Sequence, residues 1–136
     1  MKILIMGFSK IKYMPYINFY LGNIDVAAND VHLLYWNRDL MPEDTTVLKG
    51  VTLHEFLCLQ EDDTSKLSKI GSFLKYRRYA LQLLADEKFD FVIFLHSLPG
   101  VLLFDKLTKR YAGRYIFDYR DSTYEWFKQI GRASCR

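Results

Sequence analysis

Five short apolar runs alternate along this chain with longer segments of helical period, and this alternation constrains the fold most strongly. The runs cover residues 2–7, 31–36, 52–59, 89–95 and 114–117. Most of them are continuous stretches of Ile, Val, Leu and Phe, which is typical of strands covered on both faces. Parallel strands need long crossover connections, and the intervening segments supply them. The pattern therefore predicts an α/β domain with a doubly wound parallel sheet.

Three of the intervening segments have helical character, namely residues 16–23, 66–87 and 101–111. The long middle segment carries apolar side chains at spacings of three, four and seven residues: Leu67, Ile70, Leu74, Leu81 and Leu84. Such spacing places the side chains on one stripe of a helix. We expect this stripe to face the sheet, and we expect residues 38–50 and 60–65 to form loops.

Composition limits the class of protein. The 136 residues are enough for one domain with a single core, and the 50% hydrophobic content excludes disorder as the default. The net charge of +3 is modest, so a generally basic nucleic-acid binder is not expected. No nucleic-acid partner is predicted.

The cysteines and the apolar segments predict a cytoplasmic location. The two cysteines, Cys58 and Cys135, offer no disulfide framework, and no metal-binding motif is visible. The apolar run at residues 3–6 is too short for a secretory signal. Residues 91–104 are interrupted by His96, Ser97 and Pro99, and they fall below the roughly 18 apolar residues that a membrane span requires.

Basic residues are concentrated in the long predicted helix, in a stretch without acidic residues: Lys66, Lys69, Lys75, Arg77 and Arg78. Two interpretations are open. The cluster is either the solvated outer face of an ordinary α/β helix, or a peripheral contact with anionic lipid at the inner face of the membrane. In the second case each cation near the surface contributes about 1 kcal/mol.

The loop after the first predicted strand has the sequence Gly7-Phe8-Ser9-Lys10, with a single glycine. A dinucleotide fingerprint needs three glycines and a phosphate-binding loop needs a Gly-Lys-Ser/Thr ending, so both classes are excluded. The basic and aromatic residues here, Lys10, Lys12, Tyr13 and Tyr16, either meet an anionic acceptor or are solvated lysines over packed tyrosines.

Polar residues follow the fourth and fifth predicted strands, where open parallel sheets bind their ligands. His96 comes after the fourth strand, and Asp118, Arg120 and Asp121 come after the fifth. His96 is either structural or a hydrogen-bond partner for a hydroxyl-bearing ligand. Asp118 and Arg120 lie two residues apart and could form an ion pair that closes the sheet edge.

A helix start follows this polar group. Ser122 and Glu125 match a capping box, in which the two residues satisfy the free amides of the first helical turn. Asp121 is a site carboxylate or a second candidate for the cap. At least one of Asp121 and Ser122 is then available for another role.

The order of these motifs resembles the amino-terminal domain of GT-B fold glycosyltransferases, particularly family 4 enzymes of capsular and exopolysaccharide assembly. The resemblance rests on residues 2–5, 34–38, 89–99 and 115–121, and it covers most of residues 1–129. It implies a Rossmann-like domain that binds a saccharide or lipid-linked acceptor. A missing carboxyl-terminal domain would bind the nucleotide-sugar donor. A bound cofactor or metal is not implied.

The resemblance also implies roles for individual residues. Asp121 and His96 would bind or orient the acceptor as the catalytic pair, while Arg120 would approach anionic groups or hold Asp118. Many relatives have a histidine at the position of Arg120 and a glycine-rich first loop. The competing hypothesis is a non-catalytic α/β module that binds a ligand or a partner.

Residues 130–136, Ile-Gly-Arg-Ala-Ser-Cys-Arg, do not continue the last helical pattern. They resemble the translation of a sequencing-adapter sequence, and the alternative is a natural polar tail. We expect residues 1–129 to be the natural amino-terminal part of a longer bacterial enzyme, inactive without its second domain.

Overall fold

The computed structural model describes residues 1–43, 45, 48–60, 65–111 and 113–118. Its strands are β1 (Lys2–Met6), β2 (Asp30–Asn37), β3 (Val51–Leu57), β4 (Phe91–Phe94) and β5 (Tyr115–Phe117). Its α-helices are α1 (Ile17–Asn23), α2 (Lys66–Asp86), α3 (Ser97–Leu102) and α4 (Phe104–Arg110), and a turn of 3₁₀ helix covers Ile11–Tyr13. All five predicted strands are confirmed, with ends within two residues of those expected.

The five strands form one parallel sheet in the order β3-β2-β1-β4-β5. The central strand β1 pairs on both sides, so that Ile5 lies opposite Leu33 of β2 and Ile93 of β4. The direction in which the chain adds strands reverses between β1 and β4, which makes this the topological switch point. The predicted Rossmann-like, doubly wound α/β fold is confirmed.

Each face of the sheet has its own core, because side chains alternate along a strand. Leu4 and Met6 of β1 pack in the cluster on the α2 side, whereas Ile3 and Ile5 pack in the cluster that contains Ile17 of α1. Both clusters are continuous across β1, β2 and β4. The central strands are therefore buried on both sides, which explains their unbroken apolar sequences.

The apolar stripe predicted for α2 does not face the sheet. Leu67, Ile70 and Leu74 are 82%, 53% and 58% exposed, Leu81 is half-buried, and only Leu84 is fully buried. The prediction that the whole stripe covers the sheet was wrong. Helical spacing identifies residues that share a face, but it does not identify the face that is buried.

The buried face of α2 is built instead around an aromatic side chain. Tyr76 is fully buried, and its ring lies 6.0 Å from that of Trp36 and 5.7 Å from that of Phe56. The other buried residues of the helix are Ser72, Ala80, Leu83 and Leu84. Aromatic rings bury more apolar area than leucine side chains. The face of α2 that carries Tyr76 therefore packs against the sheet in preference to the leucine stripe.

The helix predicted over residues 101–111 is two short helices, α3 and α4, and the helical segment already begins at Ser97. Pro99 lies in the first turn of α3, where a missing backbone N–H is tolerated. Gly100 packs against β5, and a Cβ built on it would overlap the ring of Phe117. The absence of a side chain at Gly100 thus allows α3 to approach the end of β5.

We predict that Tyr76→Phe lowers the free energy of unfolding by about 1–3 kcal/mol, because a buried acceptor loses its donor. The Tyr76 hydroxyl donates a 2.9 Å hydrogen bond to the Gly7 carbonyl oxygen, and burial raises the pKa of Tyr76 well above its usual range. Urea unfolding followed by circular dichroism measures the change. Tyr13→Phe, at an exposed tyrosine, is the matched control and should stay within about 0.5 kcal/mol. An equally small effect for Tyr76→Phe would contradict the prediction.

Candidate functional site

The loop after β1 begins with a glycine that packs closely on its surroundings. The Gly7 N–H donates a 2.7 Å hydrogen bond to the Leu34 carbonyl oxygen. A Cβ on Gly7 would lie 2.5 Å from the sulfur and terminal carbon of Met14, so any larger residue would displace this buried side chain. The absence of a side chain at Gly7 therefore leaves room for Met14 to pack between this loop and the α1 side of the sheet.

His96 lies at the carboxyl end of β4, beside the switch point. Its ring stacks on that of Phe8 from the β1 loop, with ring centroids 6.0 Å apart and an interplanar angle of 29°. Burial, and to a smaller extent the positive charge of Arg38, lower the pKa of His96. A neutral imidazole can accept a hydrogen bond from a hydroxyl group, which is the role that the sequence suggested.

Asp118 follows β5 directly, and its backbone N–H donates a 2.8 Å hydrogen bond to the Phe94 carbonyl oxygen. Its carboxylate accepts a hydrogen bond from the Tyr20 hydroxyl of α1. Tyr20 packs with the α1-side cluster, whereas Phe8, the partner of His96, belongs to the α2-side cluster. The stacking contact of His96 with Phe8 therefore lies on the α2 side of the sheet, and the hydrogen bond of Asp118 to Tyr20 lies on the α1 side. The other two predicted site residues, Arg120 and Asp121, lie outside the described residues.

A polar cleft with a cavity volume of about 630 Å³ opens at the carboxyl ends of β1, β2 and β3. Its lining residues are Ser9, Lys10, Tyr13, Arg38, Asp39, Leu59 and Gln60. The side-chain oxygen of Gln60 is buried without a hydrogen-bond partner among the described residues. We call this feature the polar cleft, and it combines both charges with hydroxyl and amide groups.

Lys10 is a buried cation in the wall of the polar cleft. It is only 3% exposed, and its Nζ lies 2.6 Å from Asp39 Oδ1 and 3.1 Å from the Met41 carbonyl oxygen. The hydrogen bond from Lys10 holds the pKa of Asp39 below its usual range. The alternative of solvated lysines over packed tyrosines was wrong for Lys10 and for Tyr13, whose ring is exposed. An ammonium group can be buried here because a carboxylate and a carbonyl oxygen compensate its lost hydration.

Arg38 connects the polar cleft to the aromatic core. Its guanidinium carbon lies 4.2 Å from the centroid of the Trp36 ring and 5.1 Å from that of Phe8, and Nη2 donates a hydrogen bond to the Phe8 carbonyl oxygen. Stacking of this kind orients the planar donor group. Arg38 is not among the site residues predicted from the sequence. The available signal was an arginine two residues after a tryptophan at the end of a predicted strand.

The turn beside Arg38 has a strained backbone. Leu40 has a φ of 60°, in the left-handed region, where an ordinary side chain costs about 1–2 kcal/mol. Asp39 Oδ1 accepts a 2.9 Å hydrogen bond from the Met41 N–H, and Asn37 Nδ2 donates a 2.9 Å bond to the Met41 carbonyl oxygen. These bonds hold the turn in place. Strain of this type is concentrated at functional sites.

The groups of the polar cleft suit a ligand that carries both hydroxyl groups and an anionic group. Arg38 presents planar donors, whereas the charge of Lys10 is compensated by Asp39. The Ser9 hydroxyl and the Gln60 amide can bind sugar-like hydroxyls. The polar cleft therefore offers hydrogen-bonding groups and a planar cation to a polar ligand.

Comparisons with known proteins extend only to the fold. No protein-family profile and no curated protein sequence matches this chain. Two crystal structures of the carboxyl-terminal domain of a hydrogenase from Pyrococcus furiosus are similar, each with a TM-score of 0.63. Their sequence identities are 17% and 16%, and each match covers 87% of this chain and 90% of that domain. At this identity the likeness shows a shared α/β fold.

We predict that His96 titrates below the ordinary histidine value of 6.5, because burial and Arg38 disfavour its charged form. The folded state then prefers the neutral ring. This contribution to stability is present above the unfolded pKa and is lost as the pH falls through the folded pKa. NMR titration of the ring proton resonances measures the midpoint.

Arg38→Gln should raise the His96 midpoint part of the way toward 6.5, since it removes the smaller of the two causes. Arg114→Gln, at an exposed arginine before β5, is the matched control and should leave it unchanged. A His96 midpoint at or above the ordinary value would contradict the described environment of the ring.

Proposed function

We propose that this chain is the acceptor-side domain of a GT-B fold, family 4-like glycosyltransferase. The complete enzyme moves a sugar from a nucleotide-sugar donor to a saccharide or lipid-linked acceptor in bacterial surface polysaccharide synthesis. The observation that carries the proposal is the polar cleft at the carboxyl edge of a Rossmann-like sheet, whose Arg38 shares the ring of Phe8 with His96. The order of sequence motifs that resembles this family supports it.

Different residues would bind different groups of the acceptor. Arg38 would bind an anionic group of the acceptor, such as the diphosphate of a lipid carrier, through its planar donors. His96, neutral at pH 7, would accept a hydrogen bond from the attacking hydroxyl and orient it. Holding a nucleophile in line with the anomeric carbon lowers the barrier by removing most of the entropic cost of the encounter. Asp121 keeps its proposed role as the partner of His96, and Arg120 keeps its proposed contact with anionic groups.

Asp118 fits a supporting role better than direct contact with the acceptor. Its carboxylate accepts a hydrogen bond from the Tyr20 hydroxyl, and its backbone N–H donates a hydrogen bond to the Phe94 carbonyl oxygen of β4. These two bonds link α1 to the ends of β4 and β5. Asp118 would therefore hold the strand end from which Arg120 and Asp121 follow in the sequence.

The test is a transfer assay on the complete reading frame, with labelled nucleotide sugars and lipid-linked or free saccharide acceptors. Misplacement of a reacting group by about 1 Å can cost about 100-fold in rate, so His96→Asn and Asp121→Asn, which remove the groups proposed to orient the acceptor, should each reduce transfer about 100-fold. Arg114→Gln, a polar substitution outside the polar cleft, is the control that should retain full transfer.

The outcomes separate the proposal from the competing hypothesis. Transfer that survives both the His96 and the Asp121 substitutions would refute the assigned roles. No transfer with any nucleotide sugar, together with binding of another ligand in the polar cleft, would favour a non-catalytic α/β binding module.

We further propose that the enzyme is cytoplasmic and contacts the inner face of the membrane through the outward face of α2. This face consists of the exposed residues Lys66, Leu67, Ile70, Leu74, Lys75 and Arg78. Exposed leucines between cations are typical of helices that lie on anionic lipid. In the part of the chain that the structure describes, no helix is long and apolar enough to cross the bilayer.

Two of the five predicted cations contribute less to this face. Arg77 is bonded to Asp105 at 3.0 Å and to the Leu102 carbonyl oxygen at 2.9 Å, and Lys69 is half-buried. The exposed charges Lys66, Lys75 and Arg78 remain. No acidic residue lies between these cations on α2, so the face is positively charged. This charge is complementary to that of an anionic lipid surface.

Sedimentation with lipid vesicles tests the membrane contact. The chain should bind vesicles that contain phosphatidylglycerol more tightly than neutral phosphatidylcholine vesicles. Removing one exposed cation, as in Lys75→Gln, should weaken binding roughly fivefold, which corresponds to about 1 kcal/mol. Leu67→Ser combined with Leu74→Ser should also weaken it, and Lys109→Gln on α4 is the matched control. Equal binding of both vesicle types, or self-association through this face instead, would contradict the proposal.

A further inference from the structure

Three potential metal ligands converge at the end of the sheet opposite the polar cleft. His32 lies near the start of β2 and is 3% exposed, and His54 lies on the neighbouring strand β3. Leu34 pairs with His54, so the two histidines are diagonal neighbours on the same face of the sheet. Glu87 immediately follows α2 and closes the group from the helix side.

The distances between the three donor atoms fit one small cation. His32 Nδ1 lies 2.8 Å from His54 Nε2 and 3.3 Å from Glu87 Oε2, and His54 Nε2 lies 3.9 Å from the same oxygen. A tetrahedral zinc ion with bonds of 2.0–2.2 Å requires its ligand atoms to lie about 3.3 Å apart. Shifts of about half an ångström would therefore bring all three atoms into a zinc coordination shell.

The surroundings supply the outer contacts that metal ligands usually have. His32 Nε2, the ring nitrogen that points away from the cluster, lies 2.9 Å from Asp30 Oδ1 without hydrogen-bond geometry. A small rotation of either side chain would form the hydrogen bond by which a carboxylate orients a ligating histidine and increases its basicity. Glu87 Oε1, the oxygen outside the cluster, lies 3.6 Å from Lys2 Nζ. The ring of Phe89 packs edge-on against His32 and provides an apolar wall.

Without a cation the cluster is poorly satisfied. Glu87 Oε2 is buried and accepts no hydrogen bond from the described residues. The two imidazoles stack with an interplanar angle of 10°, and their facing nitrogens can share only one proton. Buried polar atoms that lack partners are rare in folded proteins and call for an unseen ion or water.

We propose that His32, His54 and Glu87 bind one Zn²⁺ ion, with water in the fourth position. Two imidazoles and one carboxylate favour zinc over the hard cations Mg²⁺ and Ca²⁺, which prefer oxygen ligands. The ion would tie the carboxyl end of α2 to β2 and β3. The site lies at the amino-terminal end of the strands, so it is separate from the polar cleft and independent of the proposed transfer reaction.

Zinc binding is tested on the whole chain prepared without a histidine tag. Calorimetric titration should give one ion per chain, and a hundredfold excess of Zn²⁺ over its Kd should raise the melting temperature by at least about 5 °C. Co²⁺ in the same site should give the intense visible absorption of tetrahedral coordination. His54→Gln and Glu87→Gln should each weaken binding at least tenfold. Asp30→Asn, which changes only the outer contact, should weaken it about 10- to 100-fold.

Asp86→Asn is the matched control, because it alters an exposed carboxylate one residue before Glu87. It should retain full zinc binding, and so should His96→Gln, which removes the histidine outside the cluster. Circular dichroism without zinc verifies that each variant folds, and if one of the two ligand variants fails, the other still provides the test. Absence of a one-to-one complex, or binding that survives both His54→Gln and Glu87→Gln, would overturn the proposal. Neither result bears on the transfer assay, since His96 lies at the carboxyl end of β4 and the proposed zinc ligands lie toward the other end of the sheet.

Discussion

The burial of β1 on both faces is the constraint on which the rest of the structure depends. Leu4, Ile5 and Met6 have no exposed surface, and the strand hydrogen-bonds to β2 on one side and β4 on the other. Because β1 is central, the loop that follows it emerges at the switch point, where α/β sheets bind ligands. The position of the polar cleft and of His96 thus follows from the packing of one strand.

An aromatic cluster couples this packing to the candidate site. The ring of Phe8 lies 5.1 Å from Trp36 and 4.9 Å from Tyr76 in the core, while it also contacts His96 and the guanidinium of Arg38. The groups proposed to bind the acceptor therefore rest on a rigid, buried ring. Sites supported in this way hold their geometry better than side chains on free loops.

The two ends of the sheet manage buried charge in different ways. At the carboxyl end, Lys10 is neutralised by Asp39, and the strained turn at Leu40 holds the pair beside the cleft. At the amino end, the donor atoms of His32, His54 and Glu87 face one another, and Lys2 pairs with the outer oxygen of Glu87. The first arrangement lies in the wall of the cleft proposed to bind the acceptor, whereas the second is the proposed zinc site.

The sequence by itself determined the fold class. Five apolar strands joined by crossover segments commonly bury both of their faces in a parallel sheet that is covered by helices. It also placed His96 and Asp118 correctly at strand ends. Tertiary structure decided which stripe of α2 is buried, since Leu67 and Tyr76 both belong to apolar faces and only packing against Trp36 chooses between them. It also packed the ring of His96 against Phe8 and bonded the carboxylate of Asp118 to Tyr20.

The polar clusters, too, were decided by the fold. Lys10 and Asp39 are 29 positions apart, and His32, His54 and Glu87 span three elements, so no local spacing reveals either group. Local sequence patterns reveal the periodicity of a helix or strand and which of its residues share a face. Which charges meet depends on strand order and register, and these are set by the simultaneous burial of both faces of the sheet.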